Sequence, residues 1–572
     1  MLDFNKAKSP EFWKKVREDA AYAPLIESVL ALYQPDEALD FSALKFSQRF
    51  KFYKDGDRST MEKPYFHRRR SLSALAILAL LYPEREDYTE RLNDLVFCIC
   101  DEYSWCLPAH THTRPGEATK DPYIVDLFNA ETGAMLAMMS ELLESRLDPA
   151  VRERAILEVR RRVTEPFKAK FQPGEMGGNN WSAVVAGSAA LCFHFVDKES
   201  FRTLLPRFKE SLADFVASYE NDGTCTEGFS YWIYGFGYFI FLADLLCEYT
   251  QGAFDAFADE KVQKMANFPA RCFLPPSTET LSFADGTAAG RVDMGCWYYL
   301  MKRYPDGVKM LQKEQLYLWP ANVGFQSYIR AFLCFDPAIE APKERKNEDY
   351  ILPDAKQVLI QRERYSCTAK SGNNAEKHNH NDVGCFIFAD ADGQAICDLG
   401  AGLYSREYFS PRRYEILCNR SMGHSVPILD GAEQKAGAAY GGSFDYKDGC
   451  ITMNIAAAYG LDALRSLERK ITFDDAGITL TDTFDYGGKT ITERYVTKRA
   501  PTVKEGEIVL GRTHLYFDKS LVPTVSVETH DLHGFNGDHI PLYCIDFAIS
   551  GGKPPSPCVW RPRNNKFCKY SL

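Results

Sequence analysis

The chain predicts two domains of different class, an α/α toroid or solenoid followed by an antiparallel β-sandwich. Three observations carry this. At 572 residues it exceeds one ordinary core. Its first 335 or so residues repeat apolar positions at helical spacing. After a Pro- and charge-rich break over 336–353, the pattern becomes short alternating runs bounded by turns. The expected division is 1–345, helical, and 346–572, β.

Ser71 to Leu81 is rich in Leu and Ala and stops before Pro83. Asp126 to Thr132 opens a helix running through Met135, Leu136 and Met139 to Leu143. Val151 to Arg162 alternates apolar and basic residues at helical spacing. Trp181 to Phe195 is small and apolar throughout, which predicts a fully buried helix. Phe208 to Tyr219, Gly235 to Tyr249 and Gly295 to Tyr304 continue the series. No strict period links them, which argues against a regular repeat array. In the second half, Val358 to Ile360, Cys385 to Ala389, Thr490 to Val496, Ile508 to Leu510, Leu521 to Val527 and Leu542 to Ile549 read as strands. Ile471–Phe473 and Ile478–Leu480 flank the turn Asp474–Gly477, a hairpin signal. Few helical patterns intrude, so this half should be an antiparallel sandwich.

Hydrophobic residues make up 45% and charged residues 26% of the chain, the balance of a globular protein. A net charge of −10 argues against nucleic-acid binding. Seventeen cysteines without a regular framework favour reduced thiols. Charge among the first residues and the lack of an uncharged apolar run of membrane length lead to a cytoplasmic expectation with no membrane partner. A homo-oligomer remains compatible with the sequence.

The densest chemistry lies in Lys377-His378-Asn379-His380-Asn381-Asp382-Val383-Gly384. In an extended segment His378 and His380 would share one face. Asp398 and His424 follow. Two imidazoles and a carboxylate suit one divalent ion, zinc first and manganese second, with a spare histidine for proton transfer. Two further segments stand out. Gly177-Gly178-Asn179-Asn180-Trp181-Ser182 begins a buried helix, where Asn capping is the plain explanation. Asp222 to Gly235 joins a turn to polar-tipped aromatics, more often core or groove lining than chemistry.

Together these segments resemble the heparinase II/III-like polysaccharide lyases. The likeness runs through Asp101 to His110, Asp126 to Thr132, Asn179-Asn180-Trp181 and Glu227 to Gly235. It is strongest from His378 to Asp430, including Arg413-Tyr414-Glu415-Ile416, Asn419-Arg420-Ser421 and His424-Ser425-Val426-Pro427. The resemblance implies an α/α toroid, a β-sandwich and an active cleft between them. It implies β-elimination on an anionic uronate polysaccharide: heparan sulfate, hyaluronan, chondroitin sulfate or alginate. Asn180, with Asn179, would bind the uronate carboxylate and the charge it gains. Tyr234 would be the general acid, and also the base when C5–H and the leaving group share a face; Tyr231 is its fallback three residues earlier, and His378 the base on the opposite face. The resemblance agrees on His380, Asp398 and His424 as metal ligands, with a largely structural ion. Trp181 stands where relatives carry histidine, which puts the range of uronate epimers in doubt. His110, Trp181, Arg413 and Arg420 are candidates for substrate contact, with Arg114 and Arg291 as weaker ones.

Three other readings compete. An α/α-toroid glycoside hydrolase would need paired carboxylates such as Asp222 and Glu227, and would leave the asparagine–tyrosine–histidine set idle. An inactive carbohydrate-binding homologue predicts missing acid and base groups. A cupin-like metal oxygenase leaves the helical half unexplained.

Overall fold

The computed structural model describes residues 2–33, 44–111, 124–318, 324–339, 342, 346–533 and 537–550, and the backbone of 558–562. Helices fill the N-terminal part and antiparallel sheets the C-terminal part. The chain divides into two compact units. The helical unit comprises Met1–Tyr219, Tyr231–Ala266 and Arg291–Lys343. The β unit comprises Glu220–Ser230, Asn267–Gly290 and Glu344–Leu572. Two stretches inside the helical half of the sequence therefore pack with the strands. Asn267–Gly290 does so through hydrogen bonds. Gln394 Nε2 donates to the Thr280 carbonyl (3.0 Å), and Ser282 Oγ donates to the Asp398 carbonyl (2.9 Å).

In the helical unit, residues Leu127 to Ser140 of the helix Leu127–Leu142 are all buried. Asn180–Val196, which packs on it, is buried almost throughout. A helix apolar on every side belongs in a core. Phe229–Tyr249 is long and apolar enough to cross a membrane by length and composition, and 78% of that window is buried within the protein.

Some helices begin earlier than their sequence pattern indicates. Ser59–Leu81 precedes the expected Ser71 start because its polar first half is buried in ion pairs: Arg68 and Arg69 reach Glu102 at 2.9 and 2.7 Å. Lys198–Ala217 begins ahead of the expected Phe208 start and runs through Pro206. The buried side of Phe201, Phe208, Leu212 and Phe215 offsets the one lost hydrogen bond.

The β unit contains a five-stranded antiparallel sheet. Its order is Tyr350–Leu352, Gln357–Gln361, Ser366–Lys370, Phe386–Asp390, Gly393–Ile396. A four-stranded sheet runs Thr524–Asp531, His539–Ser550, Thr490–Thr497, Ile428–Leu429, and an eight-stranded sheet includes Leu464–Asp474 and Gly477–Tyr486. The latter two form the expected hairpin. Asp474 Oδ1 accepts the amides of Ala476 and Gly477 and closes the turn. One apolar core, including Val358, Phe386, Ile471 and Ile545, joins strands of all three sheets.

Gly187 marks a close helix approach, since a Cβ there would lie 2.6 Å from the Tyr238 carbonyl oxygen. Gly187→Ala should lower unfolding stability by about 1–3 kcal/mol, because the obstacle is backbone and cannot rotate away. Urea denaturation checks this. An unchanged midpoint would mean that the two helices separate without cost.

Candidate functional site

In the helical unit, Asn179 caps the helix Asn180–Val196, its Oδ1 accepting the Trp181 amide at 2.9 Å. That bond commits Asn179 Oδ1 to the cap, and Asn180 is the first helical residue. Asn180 is buried and sits against Gly235, where a Cβ would come within 3.1 Å of the Asn180 Cβ. The glycine after Tyr234 thus lets Asn180 approach the helix carrying that tyrosine. Burial, then the Glu131 carboxyl beside it, push the Tyr234 hydroxyl well above its ordinary pKa. Burial pushes Glu131 itself up to about 8, with the Tyr238 and Tyr234 hydroxyls acting against it. Tyr231 is half-buried on the same helix. His110 lies against this group: its Nδ1 is 2.8 Å from Asp126 Oδ2, and its ring stacks on Phe128 and meets Trp181 edge-on. Arg291 sits beside Tyr317, and Arg114 falls outside the described residues.

In the β unit, 377–385 is a looped segment rather than an extended one. His378 takes a left-handed conformation, φ +56°, rarely adopted by a non-glycine residue. The shared face expected from strand alternation arises differently, because both imidazoles converge on one carboxylate. Asp285 Oδ2 is 2.7 Å from His378 Nδ1, and its Oδ1 is 3.1 Å from His380 Nε2. Tyr408 donates its hydroxyl to the same group, as do Arg413 Nη2 at 3.1 Å and Tyr404 at 3.3 Å. Burial alone would raise the Asp285 pKa. The hydrogen bonds from His378 and His380, with the charges around them, hold it well below the carboxylate range. The donor at Nδ1 makes Nε2 the basic nitrogen of His378. Nε2 lies 3.7 Å from Glu227 Oε2.

His380, Asp398 and His424 come together with Asp382, one ligand atom from each lying within 4.8 Å of the others, all buried. His380 Nδ1, His424 Nδ1, Asp382 Oδ2 and Asp398 Oδ2 have no hydrogen-bond partner among the described residues. The opposite edges are occupied. His424 Nε2 donates to the Cys418 carbonyl at 2.8 Å, His380 Nε2 to Asp285, and Asp382 Oδ1 meets Lys370 Nζ at 2.8 Å. This is how imidazole and carboxylate ligands are oriented from behind. His424 Nδ1 and Asp398 Oδ2 are 3.2 Å apart, close to the roughly 3.3 Å between neighbouring ligands of a tetrahedral zinc. Burial favours neutral His424, yet Asp398 raises its pKa well above the ordinary value. The cluster calls for positive charge, and a divalent cation satisfies that call with both imidazoles neutral. The residues therefore fit a metal.

Arg413 and Arg420 are engaged within the protein. Arg413 binds Asp285 and the Asn379 carbonyl, and Arg420 is paired with Glu433 through both Nε and Nη2. Asp222 accepts backbone amides on both carboxylate oxygens, from Thr224 and from Ala355. Sequence reasoning missed Asp285, Asp382 and Glu131. Asp382 stood inside the histidine segment. Asp285 and Glu131 gave no local signal.

No protein-family model and no curated protein matches the sequence. Solved structures do. A heparinase III crystal structure aligns over 97% of this chain and 92% of its own, with TM-score 0.62 and 13% identity. The fold is that of heparinase III. A mutant of heparan sulfate lyase HepC from Pedobacter heparinus aligns over 99% and 86%, with TM-score 0.57 and 12% identity. Chondroitin AC lyase from Streptomyces coelicolor A3, in complex with chondroitin sulphate, aligns over 98% and 83%, with TM-score 0.51 and 11% identity.

Elemental analysis of the purified protein should find one divalent ion per chain, absent from His424→Ala. Asp285→Asn should weaken metal affinity about 10–100-fold, the usual cost of losing the group that orients a ligand histidine. Equal metal content and affinity in all three proteins would overturn the assignment.

Proposed function

We propose that this protein is a polysaccharide lyase that cleaves uronate-containing chains by β-elimination. Its helices are then an α/α toroid and its sheets a β-sandwich. The observation that carries the reading is the pairing of His378 Nδ1 with buried Asp285, which fixes Nε2 as a base and stabilises the imidazolium formed when that nitrogen takes a proton. The solved structures sharing the fold support it, being named heparinase III, heparan sulfate lyase and chondroitin AC lyase.

Elimination removes the C5 proton of a uronate and expels the glycosidic oxygen from C4. The Asn180 amide binds the carboxylate and the negative charge that moves onto it as C5–H breaks. His378 Nε2 receives that proton, and Tyr234 donates its own to the departing oxygen. His380, Asp382, Asp398 and His424 would hold the metal, with zinc the choice of the two-imidazole set. When bound, it supplies positive charge that pins His380 and so the loop presenting His378. Substrate is a heparan, hyaluronan, chondroitin or alginate type of chain.

Ultraviolet absorbance tests this, because elimination leaves a C4–C5 double bond conjugated to the carboxylate and hydrolysis leaves none. Absorbance should rise with at least one of heparan sulfate, hyaluronan, chondroitin sulfate and alginate. Tyr234→Phe and His378→Ala should each lower kcat by about 10²–10⁴-fold, while Tyr231→Phe stays active. New reducing ends without absorbance would replace the lyase reading with hydrolysis.

A further inference from the structure

Behind Tyr234 lies a carboxyl that the elimination above leaves idle. Glu131, on the helix Leu127–Leu142, is fully buried. It accepts the Tyr238 hydroxyl at 2.6 Å. The Tyr234 hydroxyl faces the same carboxyl. Neither that hydroxyl nor Glu131 Oε2 has a formed hydrogen bond among the described residues. Tyr234 and Tyr238 are one turn apart, their rings edge-to-face at 5.9 Å, so both side chains lie on the same side of their helix. Gln326 Nε2 donates to the Glu131 carbonyl at 3.1 Å and holds the backbone there.

A purely structural buried carboxylate would normally be paired with a cation. The cations nearby are committed elsewhere: Arg69 to Glu102 at 2.7 Å, and Arg330 to Asp293 at 2.9 Å. Asp126 adds negative charge from the start of the same helix. Glu131 thus faces two phenols, in surroundings that favour its protonated form.

We propose that Glu131 is the proton store of Tyr234, a positioning residue that acts through the tyrosine. The inference rests on the lyase reading. As His378 takes the C5 proton, the C5–H electron pair forms C4=C5 and the C4–O bond breaks. The leaving oxygen takes the Tyr234 proton. The phenolate that remains faces the Glu131 carboxyl and takes its proton. After product leaves, Tyr234 passes its proton back to the Glu131 carboxylate and takes another from water, as His378 returns its own.

Glu131→Gln keeps the size of the side chain and an acceptor for Tyr238, but cannot supply a proton. Its kcat should fall about 10²-fold with KM unchanged. Wild-type kcat should decline on the alkaline side as Glu131 loses its proton at about 8, a value set by burial first, then by the Tyr238 and Tyr234 hydroxyls, Asp126 and Arg69, while Arg330 acts on Tyr238. The decline should vanish in Glu131→Gln. Independently of turnover, the ¹³C carboxyl signal of Glu131 should titrate well above the ordinary glutamate range and move in Tyr234→Phe. Tyr238→Phe, which removes one donor, covers the case in which Glu131→Gln does not fold; its kcat and carboxyl titration should both shift. Full kcat in Glu131→Gln, or a titration unmoved in Tyr234→Phe, would overturn the proposal. A wild type that yields no unsaturated product from any uronate chain would sink the lyase reading first, and the store with it.

Discussion

A carboxylate cut off from water is tolerated only when donors replace its hydration, and Asp285 gathers them from the loops around it: His378, His380, Tyr404, Tyr408 and Arg413. Removing one partner of such a buried ionic network costs about 3–5 kcal/mol. The same carboxylate orients two side chains with different jobs. Through Oδ2 it sets the tautomer of His378, and through Oδ1 it turns His380 Nδ1 toward Asp382, Asp398 and His424. The left-handed backbone at His378 is the strain that this network holds in place.

Glu131 provides the contrast within the same chain. Both carboxyls are fully buried, yet Asp285 is held well below the carboxylate range and Glu131 is pushed up to about 8. Desolvation raises both. Imidazoles and a guanidinium reverse it at Asp285, whereas the two phenols at Glu131 do not. One environment keeps a permanent anion that can orient bases and ligands. The other keeps a proton that can be lent.

Some of this was legible in the chain. Helical periodicity followed by alternating runs gave the order of helices and strands, because burial of one face imposes a period on local sequence. The Asp474–Gly477 hairpin was readable for the same reason. Charged residues hid the first turns of Ser59–Leu81, since Arg68 and Arg69 are buried against a glutamate that lies more than thirty positions away. Pro206 hid the continuity of Lys198–Ala217, since packing outweighed a local stop signal.

The sequence by itself determined the residue types of the candidate site, in its histidine segment, its paired asparagines and its tyrosine-rich helix start. Spacing alone brought His378 and His380 into neighbouring positions. Only the tertiary structure decided what those groups do. Asp285 lies 93 positions from His378, and Glu131 lies 107 from Tyr238. The direction of a pKa, the tautomer of an imidazole and the choice between an ion pair and a proton store depend on neighbours that periodicity does not reach. They are set by which loops and helices the hydrophobic core brings together.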